Sequence, residues 1–152
     1  MRTTHLAALT VSLGLLGLGA VGVGPDATEV STTPGLVRPD LIVARFHADW
    51  CGACRLLAPK FESLKRAAAE KPVLFVTFDL TTAESRRRAG LLAGALGLGT
   101  AWDSNGMKTG QAMIVCGRSR EVVAIVRADE DRSTSLEKLR QAMSIARNNG
   151  DR

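Results

Sequence analysis

Cys51 and Cys54 stand two residues apart in Asp49-Trp50-Cys51-Gly52-Ala53-Cys54-Arg55, between an apolar strand-like run and an amphipathic helical run. In a helix that begins near Cys51, Cys54 falls at i+3, so both sulfurs project to one side and can close a small disulfide ring. Such a pair can be made and broken without unfolding the chain. A helix N-terminus offers unpaired N–H groups and the positive end of the macrodipole, which favour a thiolate over a thiol at the first cysteine. Cys51 is therefore the expected attacking sulfur. Lowering its pKa from about 8.5 to about 7 takes roughly 2 kcal/mol and raises the thiolate fraction at neutral pH from roughly 3% to about half. Cys54, one turn deeper, is expected to resolve the mixed disulfide and release the product.

A bare Cys-X-X-Cys is a weak signal, but this one follows a strand, adjoins Trp50, and is followed by Pro59 in an otherwise helical stretch. The segment Phe46-His47-Ala48-Asp49-Trp50-Cys51-Gly52-Ala53-Cys54-Arg55, with Ala58-Pro59 after it, resembles the active-site segment of thioredoxin-fold proteins. The resemblance is clear from Leu41 to Leu64 and extends in element order to about Ala146. It implies an α/β, thioredoxin-like fold, a central mixed β-sheet flanked by helices on both faces. It also implies a thiol-disulfide oxidoreductase that exchanges disulfides with protein cysteines through a redox-active Cys51–Cys54 pair. Likeness to membrane-associated reductants of bacterial envelopes favours reduction over oxidation, with a membrane or envelope redox partner recharging the pair. No organic cofactor is required, because the dithiol carries the electrons, and a monomer is expected.

Gly52, Ala53 and Trp50 are the immediate neighbours of the pair, and Trp50 is expected to cover one side of the disulfide. Two positions depart from the family pattern. Where the family carries a buried acid, six residues before the first cysteine, this chain has Arg45; it either favours the thiolate electrostatically or snorkels to an exposed sheet edge. Water, or another group such as Asp79 on the neighbouring strand, is then expected to move the Cys54 proton in its place. The family's cis-proline, which faces the disulfide just before the hairpin, falls on Gln111, where a cis bond would cost about 3 kcal/mol and a trans bond is expected. An alternative of another class is a copper-binding or metallochaperone module, in which Cys51 and Cys54 are soft ligands and His47 or Cys116 adds a third. Against that, His47 reads as a partly buried histidine and Cys116 as a small buried hydrophobe, with a third redox thiol the lesser option. No histidine follows His47.

The 152 residues and 45% hydrophobic content allow one folded domain with a real core. A net charge of +5 speaks to solubility and loose association, and four Phe and two Trp with no Tyr give little material for stacking on bases, so nucleic acid is not an expected partner. Three cysteines and two histidines exclude a dense disulfide scaffold and a four-ligand structural zinc site. Residues 1–24 open on Met-Arg-Thr-Thr-His and continue through an uncharged apolar run from Leu6 to Gly24, which reads as a signal peptide or an N-terminal membrane anchor. Either places the domain in an extracytoplasmic space, periplasmic or secreted, with residues 6–24 the segment that would tether it.

The elements that must position the thiols follow from the apolar spacing. Residues 25–40, with Pro25, Pro34, Gly35 and Pro39, read as a linker before a domain spanning 41–148. Leu41 to His47 fits a buried strand, and Ala53, Leu57, Phe61, Leu64 and Ala68 recur at helical spacing after Cys51, with Pro59 expected to kink that helix without ending it. Pro72 to Asp79 is a second strand. Thr82 to Leu98 reads as a helix burying Leu91, Leu92, Ala95 and Leu96 despite three glycines, with Arg86, Arg87 and Arg88 as a solvated face, and 99–110 as a turn-rich loop carrying Trp102. Ala112–Cys116 and Glu121–Arg127 read as a hairpin, and Thr134-Ser135-Leu136-Glu137 as a capping box before a last helix. The expected order is βαβαββα.

Overall fold

The computed structural model describes residues 38–148. These belong to the compact unit that begins at Gly35. The leader expected at 1–24 and the linker up to residue 37 lie outside the described residues. Among those described, Arg38 and Pro39 have no regular structure, and no helix is long and apolar enough to cross a membrane.

Eight elements follow in order: β1 (Leu41–His47), α1 (Gly52–Ala67), β2 (Val73–Asp79), α2 (Ala83–Ala95), α3 (Gly99–Asn105), β3 (Gln111–Cys116), β4 (Val122–Arg127) and α4 (Arg132–Asn148). They form one four-stranded sheet in the order β2-β1-β3-β4. β1 pairs parallel with β2 and antiparallel with β3, and β3 pairs antiparallel with β4. The parallel pair needs a crossover, which α1 supplies, whereas the β3–β4 pair closes through a short hairpin. With a partner strand on each edge and helices over each face, β1 is buried throughout most of its length, as its unbroken apolar run requires.

Side-chain alternation along the strands divides the core in two. One face carries Ile42, Ala44, Phe46, Phe78 and Met113 beneath α2 and α3, and both Cys51 and Cys54 join this cluster. The other carries Leu41, Val43 and Ile114 against Leu57, Phe61 and Leu64 of α1 and Leu139 and Ala142 of α4. α1 runs through Pro59 to Ala67, so the proline does not end it.

Three expectations are corrected. α2 spans Ala83–Ala95 and buries Ala89 and Ala93, while Leu91 and Leu92 are exposed. The reason is close approach: a Cβ on Gly90 would lie 3.5 Å from the Trp102 ring, so the small-residue face of α2 is the one that fits inward. Second, part of the expected loop at 99–110 is α3, ended by Gly106 in the left-handed region. What orders it is Trp102, whose ring lies 6.1 Å from Phe46 and 5.5 Å from Phe78. Third, α4 begins at Arg132, so Thr134 is inside the helix and does not cap it. Ser135 is buried there, its hydroxyl donating to the Asp131 carbonyl at 3.1 Å and to Glu130 at 3.0 Å. The order is thus βαβααββα.

Phe46, Phe78 and Trp102 form an aromatic cluster that ties α3 to the sheet under the cysteines. Phe78→Ala should lower unfolding free energy by about 3–5 kcal/mol, read from urea denaturation, and red-shift the Trp102 fluorescence.

Candidate active site

β1 delivers the chain to a turn, Ala48-Asp49-Trp50, that reverses into α1. Cys51 has extended backbone (φ −87°, ψ 110°) and is the N-cap of that helix, its Sγ accepting the Cys54 N–H at 3.1 Å. Its own N–H donates to the Ala48 carbonyl at 3.1 Å, which closes the turn. Sulfur thus does at this N-terminus what a serine or aspartate oxygen does at most. Cys54 lies one turn on and deeper, 2% exposed against 7% for Cys51, with its Sγ 3.8 Å from the Phe46 carbonyl. Both are free thiols.

Their environments push the two thiols in opposite directions. Burial raises Cys51, but hydrogen bonds from the Cys54 thiol, the Thr109 side chain and the backbone of Cys54 and Ala53 outweigh it and hold it below the ordinary thiol value. Cys54 is raised, first by burial and then by its hydrogen bond to Cys51, against weaker opposing bonds from Ala48 and Gly110. One thiol is favoured as an anion and the other is kept protonated beside it.

A second layer fixes the turn. The Asp49 N–H donates to Thr81 Oγ1 at 3.1 Å, and Trp50 Nε1 donates to the Thr81 carbonyl at 3.3 Å. The Leu80 N–H donates to the His47 carbonyl at 2.7 Å. Thr81 is in turn held by Asp79, whose Oδ1 accepts the Thr81 N–H at 2.8 Å and the Thr81 hydroxyl. Those two bonds, with a smaller contribution from His47, hold the Asp79 carboxyl below its usual range against the opposing effect of burial. Asp79 therefore anchors the loop, and its carboxylate is engaged there and not at Cys54. Trp50 is tethered at its indole nitrogen with its ring 66% exposed beside the thiols.

Arg45 is neither at a sheet edge nor among the groups that act on the thiols. β1 is an interior strand, and side-chain alternation sends Arg45 to the α1–α4 face, where its guanidinium lies 4.9 Å from the centre of the Phe61 ring. Its buried Nε has no hydrogen-bond partner among the described residues. Gln111 is the first residue of β3, opposite Phe46, and its Nε2 donates to Asn105 Oδ1 at 2.6 Å. The position just before the hairpin is therefore Gly110, one residue earlier than expected. Gly110 has φ +77° and packs against Ala53 so closely that a Cβ would sit 2.6 Å from the alanine Cβ. All described peptide bonds are trans. Gly52, just after the cap, is exposed.

His47 Nε2 lies 3.2 Å from Asp49 Oδ1, and its buried Nδ1 has no partner among the described residues. Cys116 is at the far end of β3, opposite Leu41, about 17 Å along the strand from Gln111. Neither joins the two sulfurs, and no group of three metal-ligating side chains occurs among the described residues. Cys116 is buried, which raises its thiol, but the backbone and hydroxyl of Ser119 and the backbone of Arg118 bring it below the ordinary value. Sequence reasoning missed Thr81, Thr109, Gly110 and Asn105. Of these only Gly110, a glycine immediately before an apolar strand, carried a readable signal.

Residues 33–90 match the family model described as Thioredoxin. Among curated proteins, the chain is 37% identical over 84 residues to a protein disulfide-isomerase of Aspergillus oryzae, covering 48% of this chain and 16% of that one. It is 34% identical over 73 residues to a protein disulfide-isomerase of Humicola insolens, covering 46% and 14%. Thioredoxin-T of Drosophila melanogaster is 38% identical over 39 residues, covering 26% and 25%. The matched region thus spans about one-sixth of the isomerases. Solved structures that are similar include a mutant thioredoxin from Halobacterium salinarum (TM-score 0.45, 22% identity, 69% of this chain and 76% of that one). Another is a thiol:disulfide interchange protein of the thioredoxin family from Chlorobium tepidum (TM-score 0.46, 15% identity, 70% and 82%). The mixed sheet flanked by helices, with the family match over residues 33–90, is a thioredoxin-like fold.

The opposed thiols predict selective alkylation. In the reduced protein near neutral pH, iodoacetamide should modify Cys51 at least about tenfold faster than Cys54, because only the thiolate reacts. The Cys51 rate should rise with pH through a midpoint below that of an ordinary thiol and then level off. Peptide mapping that finds the two equally labelled would contradict the assignment.

Proposed function

We propose that this protein is a thiol-disulfide oxidoreductase acting on protein cysteines through Cys51 and Cys54. The observation that carries the reading is the Cys51 sulfur at the N-cap of α1, receiving the Cys54 N–H at 3.1 Å and held below the ordinary thiol pKa. In the reducing direction, the Cys51 thiolate attacks one sulfur of a client disulfide. A Cys51–client bond forms, and the client's S–S bond breaks with the electron pair on its other sulfur. Cys54 then loses its proton, and its sulfur attacks Cys51 Sγ. The Cys51–Cys54 disulfide forms, the second client sulfur leaves as a thiolate, and two electrons have passed from protein to client.

The Cys54 proton has no carboxylate to go to: Asp79 is bound to Thr81 and the family's acid position is an arginine on the other face. The departing client thiolates, generated at the same place, are the bases at hand, so the proton leaves with the product. This arrangement keeps the resolving thiol protonated until a client is attached.

Likeness to membrane-associated reductants of bacterial envelopes favours reduction over oxidation, while the hydrogen bonds that lower Cys51 stabilise the dithiol relative to the disulfide and so temper its reducing power. The uncharged run from Leu6 to Gly24 supports a location outside the cytoplasm, tethered or released, with an envelope redox partner returning the pair to its working state.

Cys54→Ser in the full chain should accumulate client proteins as mixed disulfides on Cys51, released by dithiothreitol and identified by mass spectrometry. Cys51→Ser should capture none and lose essentially all insulin-disulfide reduction. Failure of the Cys54→Ser variant to capture any protein, together with full insulin reduction by Cys51→Ser, would defeat the proposal.

A further inference from the structure

The charges that border the two sulfurs do not balance. Arg55 stands in the first turn of α1, one residue after Cys54, and its guanidinium folds back over the start of the helix: a Cβ on Gly52, between the two cysteines, would lie 3.8 Å from Arg55 Nη2. Arg86 reaches the same region from α2. Its Nε donates to the Thr82 carbonyl at 3.2 Å, and the carbonyl just before it, that of Thr81, accepts Trp50 Nε1 at 3.3 Å. The guanidinium and the exposed indole are thus held on consecutive carbonyls of one turn, next in the chain to Cys51 on the indole's side. Lys108 is a third cation, exposed in the loop two residues before Gly110, which packs on Ala53.

Arg55, Arg86 and Lys108 are all exposed and form no ion pair among the described residues. The carboxylates of the same region are already engaged. Asp79 Oδ1 takes both the N–H and the hydroxyl of Thr81, Glu84 is shared by Arg87 and Arg88, and Asp49 Oδ1 lies 3.2 Å from His47 Nε2. The first turn of α1 holds no acid, although a carboxylate is what the positive end of a helix favours and an arginine there is opposed by it. Helix stability therefore does not account for Arg55. Unpaired exposed charges add little to a fold, but charges of one sign around a reaction centre decide which molecules reach it.

We propose that Arg55 and Arg86, with Lys108, select protein clients whose cysteines are flanked by acidic residues. The inference rests on the oxidoreductase reading and gives that site its substrate class. A client disulfide must come within bonding distance of Cys51 Sγ, which carries the residues beside the client cysteine over Gly52 or along the Trp50 indole. An aspartate or glutamate there meets a guanidinium, whose planar fork fits a carboxylate, and a lysine there is repelled. The bonds formed and broken in the exchange are those already described. Only the encounter changes, so the selection is read in second-order rate constants and fades as salt screens it.

The test follows single-turnover reduction, by the pre-reduced full chain, of disulfide-linked peptides carrying a fluorophore and a quencher across the S–S bond and differing only in whether Glu, Gln or Lys flanks the cysteines. Each rate constant is divided by that of the same peptide with dithiothreitol, which removes the effect of the flanking charges on the disulfide itself. At low ionic strength the Glu peptide should be reduced about five- to twentyfold faster than the Lys peptide, with the Gln peptide between them. Salt at about 0.5 M, where the Debye length is about 4 Å, should bring that ratio to within about twofold. Arg55→Gln and Arg86→Gln should each lower the low-salt ratio by about twofold or more, and the triple variant with Lys108→Gln should leave it within about twofold. All three side chains are exposed, so these substitutions leave the core untouched. A wild-type ratio within about twofold at low salt, or a larger ratio that persists in the triple variant, overturns the proposal. The Gln peptide keeps the two claims apart. If it is not reduced at all, the oxidoreductase reading fails and this inference with it, whereas a Gln peptide that is reduced while the Glu and Lys peptides react alike defeats the client selection alone.

Discussion

The arrangement depends on one hydrogen bond, from the Cys54 N–H to the Cys51 sulfur. A helix that starts at Gly52 leaves its first N–H groups without partners, and a thiolate at the cap satisfies one of them while sitting at the positive end of the helix. The same bond spaces the sulfurs a turn apart and orders them by depth. Cys51 is nearer solvent and Cys54 is under it, so the order proposed for attack and resolution follows from where α1 begins.

Everything around that bond serves to fix where the helix begins. β1 is clamped between β2 and β3, and its last residues are tied across to the β2–α2 turn through Leu80 and Thr81. The loop before β3 meets the helix from the other side, with Gly110 against Ala53. The first turn of α1 is therefore held from two directions, and neither support uses a charged group next to the sulfurs. Tuning is by hydrogen bonds and burial. Arg45 on β1 takes no part in that tuning: its cation rests on Phe61 in the other core.

How much could be read from the chain differed between elements for physical reasons. β1, α1 and β2 were legible because interior strands have continuous apolar runs and α1 has strong helical periodicity, and the Cys-X-X-Cys stands at their junction. The pairing of Thr81 with Asp49 and Trp50 was not, since it joins a threonine to residues about 30 positions away through backbone groups that any sequence possesses. α2 misled because its buried side is alanine and its leucines face out; hydrophobicity marks burial poorly where a tryptophan from the next helix needs small residues to lie against. α3 was hidden by the glycines at and around its ends and by its seven-residue length, and the Asn105–Gln111 pair by the fact that a polar residue in a turn-rich stretch reads as solvent-facing.

The claim at the centre is that Cys51 is the acidic thiol and Cys54 the basic one. It is tested most directly by labelling the reduced protein with 13C at the cysteine Cβ atoms and following each resonance by NMR as pH is raised. Separate midpoints are expected, with Cys51 below the ordinary thiol value and Cys54 above it. A Cys51 midpoint at or above the ordinary value, or the reverse order of the two, would contradict the claim.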